Sequence, residues 1–114
     1  MSNKNSEIIQ ADEIGLIKEY MQNMSEDSQR PYLRGYFHMM IFGVAVSRGY
    51  SKDEPSSQEL GYYLLQNSLL TDYLVKTMKN LDMQLELRCV SGALEKARKS
   101  VDDIATDLLK IFKD

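Results

Sequence analysis

The sequence predicts an all-α fold: a helical bundle of four segments with a buried second helix and a long C-terminal heptad-patterned helix. Three observations predict it. From Met83 to Ile111, apolar residues recur at steps of four and three without a miss: Met83, Leu87, Val90, Leu94, Ala97, Val101, Ile104, Leu108 and Ile111. Only two prolines and six glycines interrupt 114 residues, which leaves long segments free to be helical. The earlier apolar residues also recur at helical spacing.

Residues 1–6, MSNKNS, are expected to form a disordered tail, and residues 7–114 a single helical domain. A chain of this size buries roughly two-thirds of its unfolded surface, enough for a core without metal or disulfide staples. The first helix starts near Ser6 and carries Ile9, Leu16, Ile17, Tyr20, Met21 and Met24 on one face. Gly15 weakens it by about 1 kcal/mol relative to Ala. The run SEDSQRP at 25–31 ends it. Proline is tolerated only in a first helical turn, so Pro31 marks a new start close by, with Asp27 or Ser28 as cap.

The second helix, 29–48, is the most apolar element: Tyr32, Leu33, Tyr36, Phe37, Met39, Met40, Ile41, Phe42, Val44, Ala45 and Val46 cover nearly its whole circumference. A helix apolar all round is a buried one. Gly35 and Gly43 would let neighbouring helices come close. Residues 49–57, GYSKDEPSS, form the clearest loop, and Ser56 followed by Glu59 is a capping box for the third segment. That segment, 57–79, carries Leu60, Tyr63, Leu64, Leu70, Leu74 and Met78. A turn is expected at Asn80–Asp82, although neither Gly nor Pro enforces one there.

The last helix is too long for its neighbours. Twenty-nine residues span about 43 Å, whereas a first helix of about 18 residues covers roughly 27 Å. Its heptad flanks argue for a bundle rather than a free zipper, because five of nine flanking residues are Ala, Ser or Phe instead of paired charges. The excess length should overhang the core with its apolar stripe exposed. A second copy is the simplest partner for such a stripe, so Leu94, Val101, Ile104 and Leu108 are the expected self-association residues of a homodimer.

Charge and composition exclude several chemistries. Net charge is −3, against bulk phosphate binding. The KARK run at 96–99 is the best case for nucleic acid, but residues 82–114 hold six basic and seven acidic groups. One His and one Cys form no metal cluster, and a lone His38 among methionines is a weak haem ligand, so no cofactor is expected. Cys89 is expected to be a buried small hydrophobe. Phosphate loops are absent, and adjacent acids such as Asp102 and Asp103 do not face one another on a helix. No window reaches 18 apolar residues, and Met1–Ser6 has no apolar signal core; a cytoplasmic, membrane-free protein is expected.

Two further groups are candidates. Tyr50, Tyr62 and Tyr63 cluster near the 49–57 loop, and tyrosine suits interfaces because it joins apolar area to a hydroxyl. These are the expected partner-binding residues. Arg34 and His38 share a face of the second helix and need a partner if buried; Asp72 is the acid expected to meet one of them. The resulting expectation is a non-catalytic cytoplasmic regulator, inhibitor or adaptor that works by protein–protein association. A nucleic-acid-associated transcriptional regulator and a small-molecule sensor with a Tyr- and Met-lined pocket are the alternatives.

Overall fold

The computed structural model describes the backbone of residues 3–47 and 54–113, and the side chains of residues 5–47 and 54–111. Within these the chain forms five helices: α1 (Asn3–Gln22), α2 (Glu26–Ser47), α3 (Ser57–Gln66), α4 (Ser68–Asn80) and α5 (Gln84–Lys113). The fold is an all-α bundle. Its buried cluster draws on every helix, including Ile17 and Met21, Leu33 and Phe37, Leu60 and Leu64, Leu74 and Met78, and Val90 and Ala93.

α1 begins at Asn3, inside the segment expected to be a tail. Its first turns are tied down: buried Gln10 donates from Nε2 to Ser6 Oγ at 3.1 Å. α2 begins at Glu26, where the Ser25 carbonyl accepts from the Ser28 and Gln29 amides at 3.0 and 3.1 Å. Glu26 and Asp27 in the first turn complement the helix dipole. Pro31 follows in the second turn with its exposed ring outward, so it removes only the amide bond to Asp27. Gln29 then reaches back from Nε2 to the Met21 carbonyl at 3.0 Å and closes the end of α1.

α2 buries one face rather than its whole circumference. Leu33, Phe37, Met40, Val44 and Ala45 are in the core, while Met39 and Phe42 are exposed. Gly35 and Gly43 face open space, so the close helix approach expected there is absent. It occurs instead at Gly61 on α3. A methyl group at Gly61 would overlap the Ala93 carbonyl oxygen and lie 2.7 Å from the Ala97 Cβ. Small residues on both helices let α3 and α5 nest backbone to backbone, and Ala93 and Ala97 are fully buried there.

The third predicted segment is two helices, broken at Asn67. No Pro or Gly marks the break; side chains supply what the helix ends lack, among them Asn67 itself, whose Nδ2 donates to the Tyr63 carbonyl at 2.9 Å. Thr71 donates from Oγ1 to the Leu64 carbonyl at 2.9 Å. Gln10 Oε1, from α1, accepts the Leu69 and Leu70 amides at 2.9 and 3.1 Å. The orphan donors of α4 are thus satisfied from across the bundle.

A true turn separates α4 from α5. The Asp82 amide donates to Lys79 and the Met83 amide to Met78, at 3.2 and 2.9 Å, and Asp82 is left-handed with φ 56°. This is a Schellman closure, in which Asp82 stands where Gly is usual. Met78 and Met83, both buried, supply its apolar contact. Arg30 Nε adds a bond to the Leu81 carbonyl at 2.8 Å.

The molecule is long, 60 × 30 × 30 Å, with a radius of gyration of 16.3 Å. A compact chain of this size would have about 13 Å. The difference comes from α5, whose 30 residues outrun the helices around it.

Candidate functional site

α5 carries one apolar stripe in two environments. Met83, Val90, Ala93 and Ala97 are buried, and Leu87 and Leu94 pack against the same core. Beyond Ser100 every described side chain, 101–111, is exposed. Val101, Ile104, Leu108, Leu109 and Ile111 are each between 48% and 68% exposed. The periodicity does not change at Ser100; the cover does.

α3 sets that boundary. Its N-terminus is pinned by the Ser56–Glu59 capping box, which starts the helix at Ser57. From there α3 runs antiparallel along α5. The Tyr62 hydroxyl donates to Ser100 Oγ at 2.7 Å, and Gln58 Nε2 donates to both oxygens at 3.1 Å. One turn further on, Gly61 meets Ala93 and Ala97. α3 therefore covers the stripe as far as Ser100 and begins there. The free end of α5 has Arg98 and Lys99 at its base, Asp102, Asp103 and Asp107 along its middle, and Lys110 towards its tip.

Of the expected self-association residues, Val101, Ile104 and Leu108 lie on this free end. Leu94 does not: it packs against the buried core. Leu109 and Ile111 join the exposed face, and Leu109 was missed because it lies off the heptad seam.

Tyr62 and Tyr63, expected to bind a partner, are each half-buried. Successive helical residues are about 100° apart, so Tyr62 and Tyr63 face different neighbours. Tyr62 is engaged with Ser100. Tyr63 packs against the core, and burial first, then the Glu13 charge, raises the pKa of its phenol. Tyr36 donates to Glu13 Oε1 at 2.7 Å, and burial followed by that bond pushes its phenol far above the usual range. The Tyr36 hydroxyl thus ties α2 to α1, and the Tyr62 hydroxyl ties α3 to α5. Tyr50 lies outside the described residues.

The expected Arg34–His38–Asp72 group is also corrected. Asp72 is on the outer face of α4, 65% exposed, and pairs with Lys76 one turn on at 3.0 Å. His38 is exposed. Arg34 instead meets Glu86, with Nε to Oε2 at 3.2 Å and the Glu86 side chain only 10% exposed. The turn at Asp82 folds the first turn of α5 beside α2 and brings Glu86 there. Glu86 occupies a flanking heptad position, the one sequence signal that placed it near a buried seam. Cys89, expected to be buried, is exposed. Partial burial of its thiol and then the Glu86 charge raise its pKa, which lowers its thiolate fraction at neutral pH.

A groove of about 510 Å³ lies between α1 and the α3–α4 junction, lined by Ser6, Glu7, Gln10, Leu65, Gln66, Ser68 and Leu69. Neither Tyr nor Met contributes to it. Among the described residues, no three His, Cys, Asp or Glu side chains are gathered to hold a metal. No described helix is long and apolar enough to cross a membrane. No family model, curated protein or solved structure matches this chain.

Proposed function

We propose that this protein is a non-catalytic regulator or adaptor that acts by protein–protein association, and that it associates with itself through the free end of α5. One observation carries the reading: residues 101–111 continue the core stripe into solvent with five large aliphatic side chains uncovered. Half-exposed aliphatics in that number leave on the order of 500 Å² of contiguous apolar surface, at the upper end of what monomers carry without a partner. A helix of this length has no reason to keep its seam apolar over three further turns unless something covers it.

Concentration-dependent sedimentation tests this. The wild type should shift from monomer towards dimer across the micromolar range. Ile104→Glu should stay monomeric at every concentration, since a buried unpaired carboxylate is strongly disfavoured. Its melting temperature when dilute should match the wild type, because Ile104 lies beyond the helices that cover α5. A wild type that remains monomeric at several hundred micromolar refutes the proposal.

A further inference from the structure

We infer that two copies pair their α5 free ends antiparallel, about a two-fold axis near Thr106, with each partner helix abutting the start of α3. This rests on the self-association proposed above and adds its geometry. The decisive feature is the position of α3. It occupies the apolar side of α5 from Ser100 back towards the core, held by Tyr62 and Gln58 on Ser100 and by Gly61 on Ala93 and Ala97. A parallel partner in register would have to run its own residues 84–100 through the space α3 fills. An antiparallel partner leaves that space untouched. Its overhang runs in the same direction as α3 and ends where α3 begins.

Register and polarity agree with this arrangement. Centring the pair near Thr106 sets Val101 opposite the partner's Ile111 and Ile104 opposite the partner's Leu108, so both apolar layers are filled. Ala105 is then the stripe residue nearest the axis, where a small residue permits close approach, and Leu109 widens the face on the same side. The carbonyl end of the partner helix points at the amide end of α3, the favourable sense for two helix dipoles. The contact would bury about 1,000 Å² in total, near the lower limit for a specific interface, so the dimer should be reversible at micromolar concentration.

Cysteine cross-linking in a Cys89→Ser background distinguishes the arrangements. Val101→Cys and Ile111→Cys are made as separate proteins. In the antiparallel pair each position lies about 15 Å from its own copy, ten residues along a helix, too far for a disulfide. Under mild oxidation, a mixture of the two variants should form the mixed disulfide dimer at least ten-fold faster than either forms its own. If each variant cross-links to itself as fast as to the other, or faster, the inference is overturned, and the faster self-reaction marks a parallel pair. A dimer by sedimentation that gives no cross-link at either position also overturns it, while leaving self-association standing. A monomer by sedimentation overturns both.

Discussion

Gly61→Ala tests the closest contact in the bundle. On an exposed helix the change would stabilise by about 1 kcal/mol, because Ala is the better helix former. Here the new methyl group would overlap the Ala93 carbonyl oxygen and sit 2.7 Å from the Ala97 Cβ. Ordinary carbon contacts need about 3.5 Å or more, so α3 and α5 must part by on the order of 1 Å. The main obstacle is backbone, which cannot swing aside as a side-chain end can. Overpacking of this kind costs about 1–3 kcal/mol, and a rigid neighbour puts it near the top of that range. Setting the helix gain against it leaves a net loss of about 2 kcal/mol, or roughly 8 °C in melting temperature for a chain of this size. Separation would also stretch the Tyr62–Ser100 bond. Gly15→Ala is the matched control: Gly15 is exposed on α1 with nothing within 4 Å, so the same substitution should raise stability by about 1 kcal/mol. Denaturant titration of both variants, with unchanged m-values, checks the opposite signs. A Gly61→Ala protein as stable as the wild type would refute the reasoning about the α3–α5 contact.

Gln10→Ala should lose about 1–2 kcal/mol, a cap-sized cost, since it strips the Leu69 and Leu70 amides of their acceptor; thermal melts would show it. Asp82→Gly should gain up to about 1 kcal/mol by removing the left-handed cost at φ 56°, and a loss in denaturant titration would argue against the Schellman closure. Glu86→Ala should cost about 1–3 kcal/mol by leaving Arg34 without its carboxylate, whereas Asp72→Asn should stay within about 0.5 kcal/mol. The raised Tyr36 pKa means the folded protein favours the neutral phenol. That preference adds stability fully present below about pH 10, the unfolded value, and lost as pH rises beyond it. Tyr36→Phe should therefore flatten the fall in melting temperature between neutral pH and about pH 11 relative to the wild type.

Local chemistry in the sequence determined the fold class, the capping box at Ser56 and Glu59, the turn near Asp82 and the single uninterrupted stripe of α5. Each depends on residues within a few positions of one another, and helical spacing or capping chemistry is enough to specify it. The excess length of α5 was legible for the same reason, since rise per residue is a property of the backbone alone. Tertiary structure decided the rest. The break at Asn67 is sustained by Gln10 from another helix, a partner about sixty residues away that no local signal announces. Gly61 mattered and Gly35 did not, although all helical glycines look alike until a second backbone arrives. Arg34 found Glu86 rather than Asp72 because the Asp82 turn aims the first turn of α5 at α2. Most of all, one periodic stripe became core on one side of Ser100 and exposed surface on the other. Periodicity says which residues share a face; only the place where α3 starts says how much of that face is covered, because burial belongs to the pair of elements and not to either one.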